Sequence, residues 1–408
     1  MPSRTATAPA QQAPMPQADV PVTMQGVVVP AAAVNPREFF RRTRRLTFLT
    51  KTFNIAGLGL TDNVPVLQTG IIAGITIRLT GSVTVTHNTG SAATTARWPY
   101  DFIKKLRLSA NGQSNLINAS GWKLKARDIM ARGDLTDRGV PNNIGGASPG
   151  TVRTQGTLAL ANEAWGLGQN VTAIASGTYN FDLEFFVPVA YDQKALLGSI
   201  FAQTSATDLN IQIDWAGTSD LFTITGNDTV ALNTTTCIVE AQVFSIPQGP
   251  NGTIVVPDLS MFHSFIETRF PNPVNGDNEM RLAGQGIGRQ LLRLVWQVWN
   301  GATPAPLAVN NTNFGQIGWR YGGSDTPELW TDGQQLAYWN ERLFDCPIGL
   351  LAGFNCWDFS SENAFRDAVD MGAATELRLL VNIANGVSLT SPFVEYVQES
   401  AFVGAVGA

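Results

Sequence analysis

The chain has 408 residues and a formal net charge of -5, and only 14% of its residues are charged, against 39 glycines and an abundance of Thr, Asn and Ser. That composition suits strands and turns and argues against long solvated helices or coiled coils, and its acidic balance excludes a nucleic-acid binder that works by bulk charge. No run of about 18 apolar residues is present, so no membrane-spanning helix is predicted, and the N-terminus lacks the basic-then-apolar pattern of a secretory signal.

Residues 1 to about 34 are mostly Ala, Pro, Gln and Val with almost no charge or periodicity, and read as a flexible arm. Asn35 and Pro36 then supply a cap and a first-turn residue for a short helix. This stretch carries Arg37, Arg41, Arg42, Arg44 and Arg45, with Phe39 and Phe40 between them. Such a segment could rest on an anionic lipid surface, touch phosphates, or be a solvated or subunit-contacting helix. Lipid is the better of the two functional readings, because the phenylalanines add an apolar foothold.

From Leu46 the period changes to two. Ile75, Ile77, Leu79, Val83 and Val85 alternate with polar residues, Gly81 interrupting the series, which predicts a long half-buried strand. Further strands are predicted over Phe102–Leu108 (followed by the turn signal Asn111-Gly112), Gly177–Val187 and Cys237–Ile246. Residues 127–177, rich in Gly, Asn and Pro, read as a surface excursion. Pro247-Gln248-Gly249-Pro250-Asn251-Gly252 reads as a linker. Strands resume at Phe262–Phe270, Leu292–Val298 and Phe393–Phe402, with a second excursion over Asn300–Tyr338. The predicted organisation is an arm with a basic helix (1–45), one β-domain (46–246), a linker (247–255) and a second β-domain (256–408).

The two halves repeat each other. Asp192 precedes a helix-like run with Leu196, Leu197, Ile200 and Phe201 on one face, then a strand alternating Leu209, Ile211, Ile213 and Trp215. At an offset of 168 residues, Ser360 precedes Ala364, Phe365, Ala368 and Val369, then Leu377, Leu379, Val381 and Ile383. Cap, stripe and strand recurring in one order predict two copies of one β-domain. The fold class is all-β, two tandem jelly-roll sandwiches, each with a short helix before a late strand.

Catalytic chemistry is sparse. His87 and His263 lie in opposite halves without a second ligand at metal spacing, so neither a metal site nor a Ser-His-Asp triad is predicted. Cys237, Cys346 and Cys356 form no CxxC pair and read as buried free thiols of a protein made inside a cell. Gly284 to Gly288 lacks the spacing of a dinucleotide loop. Asp182 with Glu184, and Asp367 with Asp370, are pairs a glycosidase could use, but they read as solvated or interface charges. Trp215, Trp296 and Trp357 sit in or beside strands and read as core or subunit packing, whereas Trp330 and Trp339 fall in or beside the second excursion and are candidate contact residues. No catalytic residue, cofactor or metal is predicted.

Ser120-Gly121-Trp122, Phe185-Phe186-Val187-Pro188-Val189-Ala190-Tyr191 and Leu196-Leu197-Gly198 resemble, in order and spacing, segments of the double jelly-roll major capsid proteins of tectivirus-like bacteriophages, the adenovirus hexon lineage. The resemblance covers most of residues 46–408, is tightest over 98–215, and leaves the arm unmatched. It implies a virion protein made in the host cytoplasm, a homotrimer whose six jelly rolls form a pseudo-hexagonal capsomer of an icosahedral shell. It also implies minor capsid and vertex proteins as neighbours, internal membrane lipids near the arm with Arg37, Phe39, Phe40, Arg41, Arg42, Arg44 and Arg45, no sequence-specific nucleic acid and no enzyme activity. The excursions 127–177 and 300–338, with Trp330 and Trp339, would be tower or inter-subunit contacts. A jelly-roll glycan-binding spike or fibre protein and, third, a carbohydrate-active enzyme are the alternatives.

Overall fold

Strands form over several of the segments in which apolar and polar residues alternate, as in Gly177–Val187, Leu209–Trp215 and Leu377–Ile383. The computed structural model describes residues 23–24, 27–28, 32–95, 97–110, 113–132, 174–203, 208–248, 254–282, 288–301, 313–321, 325–330, 333–344, 353–360, 368–372 and 376–403. Asn111-Gly112, Cys346, Gly284 to Ile287, Ala364, Phe365, Asp367 and most of the 127–177 excursion lie outside them.

Residues 1–43 and 246–257 form one unit. It contains β1 (Thr23–Met24), β2 (Val27–Val28), β3 (Ala32–Val34) and helix α1 (Pro36–Arg42). The predicted linker contributes a strand here, Ile254–Val256, which pairs in parallel with β3.

Residues 44–245 and 258–408 form the second unit. Its first half runs β4 (Arg45–Asn54), β5 (Thr61–Pro65), β6 (Ile71–Thr86), β7 (Ala92–Thr94), β8 (Ile103–Ala110), β9 (Gln113–Ala119), α2 (Gly121–Arg132), β10 (Gly177–Val187), β11 (Ile200–Phe201), β12 (Leu209–Trp215), β13 (Phe222–Ile224), β14 (Thr229–Leu232) and β15 (Thr236–Phe244). With Ile254–Val256 as β16, its second half runs β17 (Met261–Pro271), β18 (Gly276–Arg281), β19 (Arg289–Trp299), β20 (Phe314–Tyr321), β21 (Asp325–Trp330), α3 (Gly333–Phe344), β22 (Asn355–Asp358), β23 (Val369–Asp370), β24 (Leu377–Ile383) and β25 (Phe393–Val403).

The first half is a sandwich of two sheets, in the orders β10-β6-β15-β4 and β9-β8-β12-β5. The second half has the orders β22-β19-β25-β17 and β21-β20-β24-β18. These orders coincide if β4, β5, β6, β8, β9, α2, β10, β12 and β15 correspond in turn to β17, β18, β19, β20, β21, α3, β22, β24 and β25. Every correspondence preserves chain order, so the topology is duplicated. The repeat seen in the sequence falls on two equivalent strands, β12 and β24, whose side chains alternate buried and half-buried in the same phase.

One sandwich is joined to the other where β17 lies parallel to β9, Phe265 beside Ile117 and Ile266 beside Asn118. The first core therefore continues beyond its own strands and takes in Phe265, Val295, Trp299, Phe393 and Val397 of the second half. Leu294, Trp296, Val298 and Val394 point the other way into the second core. β19 and β25 are thus covered on both faces, which accounts for the near-continuous apolar run of Leu291–Trp299. Gly81 does not break β6. A Cβ there would collide with Thr235 Oγ1 and lie 2.9 Å from Phe181 Cζ, so the glycine makes room for the Thr235 side chain and for the aromatic ring of its strand partner.

Two sequence expectations need correction. The run after Asp192 is a tight turn closed by an Asp192–Leu197 bridge, not a helix. Leu196 and Gly198 both have positive φ, 60° and 82°, which ends any helical path. The excursion at Asn300–Tyr338 contains the β20–β21 hairpin and the start of α3, and the 127–177 excursion begins inside α2.

Gly198 also approaches His263, whose Cβ would lie 2.7 Å from an added methyl group. Gly198→Ala is therefore expected to lower stability by about 1–3 kcal/mol, read by chemical denaturation. Gly386→Ala, at a site with nothing within 4 Å, serves as the control and should change it little.

A buried charged joint and two candidate contact surfaces

The basic helix forms as its residues dictate. Asn35 Oδ1 accepts the Glu38 N–H at 3.1 Å, Pro36 occupies the first turn, and Arg41 and Arg42 sit in the last turn, where they oppose the helix dipole. Glu38 holds Arg42 at 2.6 Å and Arg41 at 3.8 Å, and Arg42 also donates to the Gln248 carbonyl at 3.3 Å. Phe39 is buried and Phe40 is exposed. Arg45 donates to Gln242 at 2.7 Å. Among the described residues the side chains of Arg37 and Arg44 are exposed without an ion pair.

Trp330 and Trp339 lie on consecutive elements, β21 and α3. Trp330 ends β21, opposite Ile317. Trp339 lies on α3 beside Tyr338, and the two are 48% and 55% exposed, large values for aromatic residues on a helix of a packed sandwich. At the other end of the molecule's strand order, the outer strand β4 exposes Leu46 and Leu49.

The densest chemistry lies between the two sandwiches. At one end of α2, Ser120 donates its N–H to Glu267 at 2.7 Å, and Trp122 donates its indole N–H to Gln297 at 3.1 Å. Lys123 is fully buried, 3.5 Å from Glu395, with its ammonium over the Phe354 ring. Arg97 pairs with the same Glu395 at 2.8 Å. One turn further along α2, Arg127 reaches Glu399 at 2.8 Å. Glu399 also accepts from His263 at 3.0 Å and from Arg293 at 3.1 Å, and Arg293 holds Asp358 at 2.7 Å. Tyr191 bonds Ser360 through its hydroxyl and accepts from Arg127 through its carbonyl. All three short segments that carried the sequence resemblance therefore lie at this joint or, in Gly198, against His263.

Burial and pairing compete here. Burial alone would raise the Glu399 carboxyl, but the adjacent Arg127 and Arg293 with the His263 bond overcome it and hold the group well below the usual carboxylate range. Burial pushes Asp101 up to about 7 despite Arg97, and burial with the nearby Glu395 charge raises Glu267. Burial lowers the Lys123 ammonium. A cavity of about 540 Å³ opens at the Arg97 end of the joint, lined by Asp101, Glu267, Trp299 and Glu395 among others. Glu267 and Glu395 are already held by Ser120, Arg97 and Lys123, which makes them members of a structural ion network.

The remaining candidate groups are satisfied locally. His87 bonds Asp228 and the Ile174 carbonyl, and Asp182 pairs with Arg78 on the outer sheet face. Asp370 caps a turn by accepting the Gly372 N–H. Cys237 and Cys356 are buried free thiols, the first pushed up to about 12 by burial. Trp215, Trp296 and Trp357 are buried, the last two stacked on each other. No group of three or more metal-ligating side chains occurs among the described residues, and no helix among them is long and apolar enough to cross a membrane.

Sequence reasoning missed the joint. The available signal was charge inside strands that must be doubly buried: Glu395 and Glu399 share a face of Phe393–Val403, and Arg293 and Gln297 share one of Arg289–Trp299.

Two topologically identical jelly rolls sharing a sheet define a double jelly-roll protein. Comparison with solved structures agrees in fold along most of the chain. The STIV MCP, from Sulfolobus turreted icosahedral virus, is similar with a TM-score of 0.60 at 16% identity, over 89% of this chain and 97% of that one. The Faustovirus major capsid protein is similar with a TM-score of 0.52 at 10% identity, over 93% and 91%. In sequence, the major capsid protein P3 of Enterobacteria phage PRD1 is 20% identical over 179 residues, which are 43% of this chain and 42% of that protein, so the match spans about two fifths of the relative. The family model for the N-terminal part of the P3 major capsid protein matches residues 9–247. The chain belongs to the P3 major capsid protein family, a family of structural virion components and not of enzymes.

Removing the carboxylate at the centre of the joint leaves Arg127 and Arg293 buried without their shared partner. Glu399→Ala should destabilise the fold by about 3–5 kcal/mol. Because the folded carboxyl is held below its unfolded value, its contribution is fully present above about pH 4.3 and is lost as pH falls through the folded value. The stability gap between wild type and Glu399→Gln should accordingly narrow below about pH 4 in denaturant titrations.

Proposed function

We propose that this chain is a major capsid protein that assembles as a homotrimer, its six jelly rolls forming a pseudo-hexagonal capsomer of an icosahedral shell. The observation that carries this reading is the duplication itself. Two sandwiches with the same strand order, joined side by side, let three copies supply six near-equivalent units. The low charge and the exposed Leu46, Leu49, Tyr338 and Trp339 suit repeated mixed contacts between copies. Minor capsid and vertex proteins would be its neighbours in the shell, and the excursions around 127–177 and 300–338 its outward or inter-subunit contacts. The glycan-binding and hydrolase readings are disfavoured by the family and by the paired state of the buried carboxylates. Purified protein should show a native mass near 131 kDa (3 × 43.8 kDa) by light scattering and a hexagonal outline in negative stain. A species that stays at 43.8 kDa at every concentration would sink the reading.

A second part of the reading concerns the basic stretch. Exposed Phe40 between exposed Arg37 and Arg41 supports α1 as a contact for an anionic lipid surface, with Arg42, Arg44 and Arg45 adding charge and buried Phe39 anchoring the helix. Co-sedimentation with anionic vesicles should weaken about tenfold or more in Arg37→Ala/Phe40→Ala/Arg41→Ala, at about 1 kcal/mol per basic residue, and should fall with added salt. Equal binding to neutral and anionic vesicles would remove lipid charge from the account.

A further inference from the structure

The joint inside the chain uses the edge strand of one sheet in each roll: β9 from the first roll and β17 from the second. The topology is duplicated, so each of these edges has a counterpart. The counterpart of β9 is β21, and that of β17 is β4. Among the described residues both are terminal in their sheets, with no strand on the outer side. The same joint therefore exists in potential a second time, and the two edges that would make it belong to opposite rolls.

The ladders fix the correspondence residue by residue. With Leu209 aligned on Leu377, the partners of β12 and β24 align as Leu106 on Ile317, Arg107 on Gly318 and Leu108 on Trp319. Across the next pairing, Ile117 corresponds to Glu328 and Asn118 to Leu329. In the other sheets, bulges at Ala73 and Leu292 occupy the same place, which sets Gln242 on Glu399 and Ala241 on Gln398. Their neighbours then set Thr47 on Phe265 and Phe48 on Ile266.

We propose that copies of this chain join by parallel pairing of β21 in one copy with β4 in the next, Glu328 beside Thr47 and Leu329 beside Phe48, with Tyr338 and Trp339 of α3 covering the outer sheet face around Leu49. The proposal deepens the capsomer reading and rests on it. Three features beyond the duplication support it. β4 is a ten-residue edge strand without proline that exposes Leu46 and Leu49, an edge that pairs promiscuously unless something covers it. Pro327 leaves only the last residues of β21 able to donate along its edge, and the β9–β17 pairing is equally short. The outer face of β25 is covered by α2, through Lys123 and Arg127, whereas on the equivalent strand β15 the outward residues Ile238, Glu240 and Gln242 remain half-exposed. α3, the counterpart of α2, carries its exposed aromatic pair six to seven positions into the helix, as α2 carries Arg127. A head-to-tail joint of this kind is heterologous and closes only as a ring.

Thr47→Cys/Glu328→Cys, treated as native protein with a short bismaleimide, tests the register. With Cys346→Ser in the background, denaturing gels should show covalent dimers and trimers from the double variant and only monomers from either single variant; Cys237 and Cys356 are buried and should stay silent. Particles of 131 kDa (3 × 43.8 kDa) that give no ladder would overturn the joint while leaving the trimer intact. A ladder from Thr47→Cys alone would mean a two-fold contact and also overturn it. Absence of any trimer would instead overturn the capsomer reading, and this joint with it. As an independent check, Leu49→Asp and Trp339→Ala should each raise the concentration at which trimers dissociate by at least about tenfold, with unchanged circular dichroism. Unchanged dissociation in both would also count against the joint.

Discussion

Glu399 is the constraint on which the arrangement of the two sandwiches depends. It sits on a central strand of the second roll, fully buried, and takes bonds from Arg127 of the first roll and from His263 and Arg293 of its own. Dispersion and apolar burial would hold the rolls together in many relative orientations, since they lack direction. Charge-assisted bonds have direction, and a buried carboxylate with three donors tolerates few alternatives. The cost of desolvating these groups makes the network a poor source of net stability. Its physical yield is a fixed relation between two rolls, which a shell built from repeated steps requires.

The same constraint explains why α2 exists where it does. A helix inserted after the β8–β9 hairpin brings Lys123 and Arg127, one turn apart, over Glu395 and Glu399, four residues apart on one strand face. Helix rise and strand rise differ, so only one pair can be close to ideal: Arg127 lies 2.8 Å from its carboxylate and Lys123 lies 3.5 Å from its own. The longer contact is supplemented by Gln297 and the Phe354 ring.

Legibility in the sequence followed the range of the interactions. Period-two alternation is local, so β6, β10, β12, β15, β17, β19, β24 and β25 could be read within a few residues of their ends, and the β12–β24 repeat located the duplication. α1 was equally plain, because Asn35, Pro36 and Glu38 act within one turn. α2 was not, since Gly121-Trp122-Lys123-Leu124-Lys125 buries lysines as well as apolar residues and shows no clean stripe. The turn after Asp192 misled for the opposite reason: its leucines have helical spacing, but Gly198 is placed there by contact with His263, a residue far away in the chain. The pairing in the charged joint could not be read because Arg127 and Glu399 are 272 positions apart; only the charges within the doubly buried strands hinted at it.

The two rolls share a topology but not a chemistry at corresponding positions, and the difference has a physical reason. Within one chain the joint forms at the high effective concentration that covalent linkage provides, so buried ions can be desolvated once, during folding. The positions equivalent to Glu395 and Glu399 on the first roll are Ile238 and Gln242, and the position equivalent to Glu267 is Leu49. The buried glutamates have no acidic counterpart at these three positions, the open face carrying its charge instead at Glu240 and in the exposed Arg78–Asp182 pair, and the facing helix carries Tyr338 and Trp339 where α2 carries Arg127. A joint made between copies has to remain soluble when open and dry when closed. Aromatic and aliphatic side chains do both at small desolvation cost, whereas an unpaired Glu–Arg network exposed on free subunits would lose most of its attraction to water and salt before it could close. Under the proposed joint, duplication would supply one geometry twice, fixed within the chain by a buried ion network and left between copies to a face where Leu49 and Trp339 are exposed.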